Sequence, residues 1–580
     1  MPTKAKAPPR PKAPPKPRTM TGSEIVLQVL QEEGVEIAFG IPGGQVIPLY
    51  DELYRAVEAG KIRNILTRHE QGAAHMADGY ARATGKVGVC IATSGPGALN
   101  LVTGLCTANL DSVPVVAITG QVKTEVIGKD AFQEADIRGV TMPVTKHNYL
   151  VKNIADLGDV LREAFHLARS GRPGAVLVDI PSDLQLGKGQ LSERHDSALR
   201  GYNPPTEGDP ALLRQAAEMI NRAKRPLLYV GGGIISSGAA PALAKLARKA
   251  GIPVTNTLMG KGAFPESDPL SLGMPGMHGT AYASHALNCA DLILAVGVRF
   301  DDRVTGDVSK FAPSASIIHL DIDLAELNKI IKPHLGIAAD ARLGLEKLLS
   351  LVRKQDLSAW HEQIAEWRRK FPLRYKQPPE GLIAPQFVIE ELSAMTGKDA
   401  VVTTEVGQNQ MWAALYYRAE LPRQFLTSGG LGTMGYGFPA AIGAQFGNPD
   451  AVVWDIAGDG SIQMNIQELA TAVEHRLPVK VAILNNGYLG MVRQWQELFY
   501  GRRYSATVLA PGNPDFVAVA RAYGGEGIRA TRPEEVRPAL EAAMAITDRP
   551  VFVDFHVWPE ANVTPMIPAG KTVEDLIMDA

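Results

Sequence analysis

Along almost the whole chain, short apolar runs alternate with longer segments of helical period. A wholly apolar run of this kind is a strand covered on both faces, and a parallel strand needs a crossover, usually a helix, before the next. Residues 21–195 carry the runs NILTR, VGVCIAT, VPVVAITG and AVLVDIP, with helical patterns such as QGAAHMADGYARATG and GALNLVTGLCTANLD between them. The loop signal GYNPPTEGDP follows, and residues 205–355 resume with PLLYVGGGI, DLILAVGV and ASIIHLDID. After KQPPEG, residues 375–565 carry AVVTTE, AVVWDIAG, VKVAILNN and PVFVDFHV. The expected architecture is α/β, with three doubly wound parallel-sheet domains. The 580 residues are also too many for one core. TSGPGAL from Thr93 and TSGGLGTMG from Thr427 echo each other, which hints that the outer two domains are alike.

Composition excludes several classes. Net charge is −2, and residues 1–22 hold six basic side chains and no acid, so the body is clearly acidic and unsuited to nucleic acid. Cys90, Cys106 and Cys289 form neither a disulfide framework nor a CxxC metal site, which fits a reducing, cytoplasmic setting. No apolar run approaches the roughly 18 residues of a membrane span. The Pro- and Lys-rich residues 1–20 lack an apolar stretch and are expected to be a disordered extension with no specific partner.

One stretch points to chemistry. GDGSIQMNIQELATAVEHRLPVKVAILNN, Gly458 to Asn486, reads as strand end, glycine turn, helix (Ile466–His475) and strand. Parallel strands put Asp459 and Asn486 on the same carboxyl edge, where open α/β sheets bind ligands. A carboxylate oxygen and an amide oxygen are hard donors suited to Mg²⁺, which completes its octahedron with phosphate and water. Gly458 and Gly460 let backbone N–H groups approach an anion.

GDG followed by NN at this distance resembles the thiamine diphosphate (ThDP) motif of ThDP-dependent enzymes. The resemblance implies Asp459, Asn486 and the carbonyl of Tyr488 as Mg²⁺ ligands, with Ser461 in the same turn. Glu70, in TRHEQGAAHMADGYAR, by itself reads as a charge at a helix N-terminus. Beside the metal motif, the resemblance makes it the acid that exchanges a proton with the cofactor's aminopyrimidine. Met434, in SGGLGTMGYGFPAAIG, matches the bulky apolar residue that bends ThDP. Gly44, Gly407, Gln408, Asn409 and Gly432 fall at cofactor-contact positions. Glu70 and the metal motif would come from different subunits, which implies a homodimer or tetramer with active sites at the subunit interface.

The middle block carries strand-end glycines, with Arg299 and an acid after a later strand, the pattern a dinucleotide needs. With AFQEADI, RFDDRVTG and GMVRQWQELFY, the chain from about residue 20 to 570 closely resembles acetohydroxyacid synthase in its biosynthetic, FAD-containing form. That resemblance places Arg172, Gly231, Gly232, Thr257, Leu258, Met277, His278, Arg299, Asp301, Arg303, Asp321 and Asp340 at FAD-contact positions. It places Phe132, Gln133, Met491, Val492 and Trp495 around the substrate. It implies a transferase that decarboxylates pyruvate and joins the remaining two-carbon unit to a second 2-oxoacid, pyruvate or 2-oxobutyrate, opening branched-chain amino-acid synthesis. A small regulatory subunit is a candidate partner. Two positions depart from the family pattern. Ser182 stands where relatives often have lysine, and Lys123 stands where they often have a small residue or proline, so Lys123 is expected to replace part of the missing charge.

Overall fold

Each apolar run quoted above is a strand in the computed structural model, which describes residues 19–192 and 199–578. The expectation for the N-terminal extension falls mostly on residues 1–18 and lies outside the described residues. Its last two residues belong to the fold instead. The strand Thr19–Thr21 pairs antiparallel with Lys188–Gln190, and Met20 packs on the first domain's core.

The first sheet holds β1 (Ile37–Gly40), β2 (Arg63–Leu66), β3 (Gly88–Ala92), β4 (Val115–Gln121), β5 (His147–Leu150) and β6 (Ala175–Pro181). All are parallel, in the order β2-β1-β3-β4-β6-β5. The central sheet holds β7 (Pro226–Val230), β8 (Val254–Asn256), β9 (Leu292–Val296), β10 (Ser316–Asp321) and β11 (Leu335–Ala338), in the order β8-β7-β9-β10-β11. The third holds β12 (Val401–Thr404), β13 (Phe425–Leu426), β14 (Val453–Gly458), β15 (Lys480–Asn485), β16 (Glu526–Ala530) and β17 (Val551–His556), in the order β13-β12-β14-β15-β17-β16. The first and third sheets therefore share one topology. In every sheet the order reverses between the domain's first and third strands, and the crevice that opens there faces the carboxyl ends.

The TSG echo lies on non-equivalent strands. Thr93 follows β3, the third strand of its sheet, whereas Thr427 follows β13, the second of its own. A Ser-Gly turn reports local backbone need, not position in a sheet. The two domains are alike for a different reason, which is their shared strand order.

Four helices position the sites: α1 (Glu70–Thr84), α2 (Val102–Leu110), α3 (Gly437–Gly447) and α4 (Gly490–Phe499). α1 and α3, each following the second strand of its sheet, pack together through reciprocal glycines. A Cβ on Gly79 would stand 2.1 Å from the Ala440 carbonyl oxygen, and one on Gly443 2.0 Å from that of Met76. Only glycine allows this backbone approach. One core runs through this contact from the first sheet to the third, with Phe39 against Phe446 at 5.8 Å between ring centroids, while the central domain has its own. The helix expected over Ile466–His475 is split: Ile466–Glu468 is 3₁₀, and the α-helix runs only Leu469–Glu474. Glu468, at that junction, is buried and turned toward the N-terminus of α1. Among the described residues no helix is long and apolar enough to cross a membrane.

Candidate active site

The third sheet's carboxyl edge brings the acidic and amide turns together. Gly458 is in register with Leu484, which sets Asp459 against the turn that follows β15. The Gly487 N–H donates to Asp459 Oδ2 at 3.1 Å, and Asn513 Nδ2 donates to the same oxygen at 2.6 Å. Burial pushes the Asp459 carboxyl up to about 6, so a cation beside it would relieve an unfavourable buried charge. Asn486 Nδ2 donates to Gln408 Oε1 at 3.1 Å, and Asn486 Oδ1 accepts the Tyr488 N–H at 3.1 Å. Among the described residues no three His, Cys, Asp or Glu side chains are grouped to hold a metal ion. A metal here therefore draws on one carboxylate plus amide, carbonyl and phosphate oxygens, a donor set that fits Mg²⁺.

The Ser428–Tyr436 loop reaches this turn. Met434 Cε stands 3.9 Å from where a Cβ on Gly460 would lie. Gly432 has a φ of 69°, open to glycine at no steric cost. Gly407 also has a positive φ, and Ser461 Oγ bonds the Gly458 carbonyl at 3.3 Å. Gln408 and Asn409, expected beside a diphosphate, spend their amides on the frame. Gln408 Nε2 donates to Gln494 Oε1 and the Ala561 carbonyl, and Asn409 Nδ2 to the Ile456 carbonyl.

α4 starts just after the Asn486 turn, and its buried side chains are polar. Arg493 bonds the Ala561 carbonyl and Asn562, and Gln494 bonds both backbone groups of Val563. The apolar members Met491 and Trp495 are half-buried, with Trp495 tilted against Phe499 at 5.3 Å, and Val492 is exposed. The helix buries Arg493 and Gln494, Met491 packs on the third domain's core, and Trp495 remains partly open.

On the first sheet, Glu70 opens α1 and is buried, with Asn100 Nδ2 donating to its Oε2 at 2.9 Å. A Cβ on Gly97 would lie 3.2 Å from Glu70 Oε1. Gly44 faces open space next to Thr93, whose hydroxyl accepts the Gln45 N–H. Gln133 has a φ of 61° and lies against Gly95, while Phe132 is 85% exposed. Gln121 Nε2 ties the Ala135 carbonyl to Asp179, whose carboxyl burial pushes up to about 7. Ser182 is buried at the end of β6, and the neighbouring Asp183 takes the N–H and hydroxyl of Thr124, so the Lys123 loop is fastened to that turn.

The central edge forms a second cradle. A Cβ on Gly231 would stand 2.2 Å from the Gly297 carbonyl oxygen, and one on Gly233 2.6 Å from Gly297 Cα, so the two switch-point loops touch only as glycines. Around them on the same edge lie Gly232, Thr257, Leu258, Arg299, Asp301, Arg303, Asp321 and Asp340. Arg299 is paired with Asp301, Arg303 bonds Met277 through its carbonyl, and Asp340 caps the helix Ala341–Leu351. His278 is buried with Nδ1 unpartnered by protein, as is the Tyr229 hydroxyl, so the edge offers polar groups a ligand could use. Arg172 reaches this domain from the first, but its guanidinium is held by Glu326 at 2.6 Å and Asp323 at 3.2 Å.

The thiamine pyrophosphate enzyme N-terminal TPP binding domain matches residues 20–140, the central domain residues 213–348, and the C-terminal TPP binding domain residues 405–555. The acetolactate synthase large subunit of Corynebacterium glutamicum is 53% identical over 565 residues, 96% of this chain and 90% of that protein. The chain belongs to the acetolactate synthase family. The acetolactate synthase of Mycobacterium bovis is 51% identical over 566 residues, 96% of this chain and 91% of that protein. Acetolactate synthase 1, chloroplastic, of Nicotiana tabacum is 48% identical over 572 residues, 96% of this chain and 85% of that protein.

Sequence reasoning missed the residues that hold this acetolactate synthase edge from a distance. Asn513 grips Asp459 from 54 residues away, and Glu468 accepts the Arg68 and His69 N–H groups across the domain contact. Asn100 lies in the quoted helix GALNLVTGLCTANLD, and its position one turn past the Ser-Gly turn was the one signal that could have found it.

Proposed function

We propose that this chain is the catalytic subunit of an acetolactate synthase, acting in the cytoplasm as a homodimer or tetramer. It removes carbon dioxide from pyruvate and joins the two-carbon remainder to the keto carbon of a second pyruvate, giving 2-acetolactate, or of 2-oxobutyrate, giving 2-aceto-2-hydroxybutyrate. The observation that carries the reading is the approach of Asp459 to the Asn486–Tyr488 turn beside Met434.

Asp459, Asn486 and the Tyr488 carbonyl would hold Mg²⁺, and through it the diphosphate, with Gly458, Gly460 and Ser461 against the phosphate oxygens. ThDP, when bound, supplies the carbon nucleophile and the electron sink for decarboxylation. Glu70 would hold and return the proton at the aminopyrimidine, with Asn100 fixing its second oxygen. Met434 would set the cofactor's bend. Phe132, Gln133, Met491, Val492 and Trp495 would line the substrate and exclude water. The central edge would hold FAD, with Gly231, Gly232 and Arg299 toward the pyrophosphate. The overall reaction needs no oxidant, since two pyruvates give acetolactate and carbon dioxide with electrons balanced, so the flavin is held without turnover.

Exposed apolar side chains flank both half-sites, Phe132, Leu99 and Ile47 on the first domain and Leu431, Met464 and Val492 on the third. They support burial of each half-site against a second copy. The test is turnover of pyruvate with 2-oxobutyrate, supplying or withholding ThDP, Mg²⁺ and FAD, with both acetohydroxyacids and oxygen measured. Both products without oxygen uptake are expected. Stoichiometric oxygen consumption with acetate or acetyl phosphate would make the chain a pyruvate oxidase instead.

A further inference from the structure

The Met434 loop is held from two domains at once. Asp111, one residue past α2 in the first domain, has an almost fully buried side chain. Its Oδ1 accepts the Gly430 N–H at 2.6 Å, and its Oδ2 accepts the Gly429 N–H at 3.2 Å. Arg82, on α1, donates to Asp111 Oδ2 at 2.8 Å and to the Thr427 carbonyl at 2.7 Å, and it is paired on its other side with Asp78. Tyr436 OH donates to Asp78 Oδ1 at 2.7 Å, and the Tyr436 ring lies under the Arg82 guanidinium. The Thr107 and Thr433 hydroxyls bond at 2.7 Å. The first domain thus fastens the loop at residues 427, 429, 430, 433 and 436, while the third domain holds 427 and 428 through Thr404 and Gln410 and 435 through Glu405 and Asn465. Met434 lies inside this frame.

A structural ion pair needs none of this aim. Asp78 already neutralises Arg82, and Asp111 is turned so that each oxygen meets one successive backbone N–H of the loop. Charged acceptors on buried N–H groups give short, directional bonds. A residue larger than glycine would displace the carboxylate, because a Cβ on Gly430 would stand 2.8 Å from Asp111 Oδ1.

We propose that Asp111, oriented by Arg82, is a positioning residue for the thiamine chemistry: a first-domain carboxylate that sets where the third domain's Met434 stands against the bound cofactor. The inference rests on the reading of Met434 as the residue that bends ThDP. It means that the domain carrying Glu70 also tunes, within the same chain, the half-site that carries the metal.

The test uses the full chain with Asp111→Asn, which keeps size and removes charge, with Thr107→Val as a second, uncharged cut of the same frame. Hydrogen exchange of residues 427–436, read by mass spectrometry without added cofactor, should speed about 10-fold or more while α3 stays protected. In the loaded enzyme kcat should fall about 10-fold with KM for pyruvate unchanged, as expected for sub-ångström misplacement. C2–H exchange of bound ThDP should slow by the same factor, and that slowing should vanish in a Met434→Ala background. Wild-type loop exchange in both variants overturns the proposal, as does a full additional slowing by Asp111→Asn on top of Met434→Ala. Should Met434→Ala itself leave C2–H exchange unchanged, the reading of Met434 fails, while loop exchange still reports separately on the Asp111 frame.

Discussion

The first and third sheets share a strand order, yet their edges carry different chemistry. After the second strand comes Glu70 in one and the Met434 loop in the other. After the third strand comes the Ser94–Gly97 turn in one and Gly458–Ser461 in the other. After the fourth comes the stretch leading to Phe132 and Gln133 in one and the Asn486 turn in the other. Position on the sheet is common to both, and the side chain placed there differs. On the function proposed above, a single topology offers one edge to move a proton and one to hold a metal and a diphosphate, and the central sheet would take the dinucleotide. The contrast also explains the domain contact. α1 and α3 follow the equivalent strand of each sheet, so packing them together brings the beginnings of both edges to one seam.

That division of labour can be broken at several points. The largest expected effect is on loading. Asp459→Ala should weaken ThDP binding in the presence of Mg²⁺ by at least about 100-fold, since loss of even an outer partner of a metal ligand costs about 10- to 100-fold. Calorimetry checks it, and unchanged affinity would remove the metal role from the third edge. Next is acceptor choice. Trp495→Leu should keep 2-acetolactate formation and lose most of any preference for 2-oxobutyrate, because one methylene against an apolar wall is worth roughly 10- to 200-fold. Competition between the two acceptors reads the ratio directly, and an unchanged ratio would return Trp495 to packing alone. Smaller still is Asn513→Ala, which removes the 2.6 Å bond to Asp459 Oδ2. About a 10-fold rise in the Mg²⁺ needed for half-loading is expected. The same change should leave flavin retention untouched, since Asn513 touches only the third edge.

Much of this was legible in the chain. Apolar runs located the interior strands because burial on both faces leaves no other composition open. The spacing from Asp459 to Asn486 was legible because one crossover fixes where two parallel strands end. Several short or polar strands were not, although NILTR marked the four-residue edge strand Arg63–Leu66. Ile37–Gly40 is four residues, and HNYL and EGIRA are edge strands with polar members. The glycine echo between Thr93 and Thr427 pointed to the right conclusion from non-equivalent turns. Glu70 could be singled out only through family resemblance, since a Glu opening a helix is ordinary. Contacts across 54 residues to Asn513 and 318 to Asp111 left no mark on local pattern, because a lone polar residue shows its partner only once the domains have packed.

The central claim is that the two like-folded edges divide the work, the third holding the cofactor and the first moving its proton. C2–H exchange of ThDP bound to Glu70→Gln, followed by NMR at saturating Mg²⁺ and cofactor, tests it most directly. Glutamine keeps the shape and the Asn100 contact but cannot relay a proton. The account predicts cofactor affinity within a few-fold of wild type and exchange slowed by about 100-fold or more. Exchange at the wild-type rate with the cofactor fully bound would contradict it.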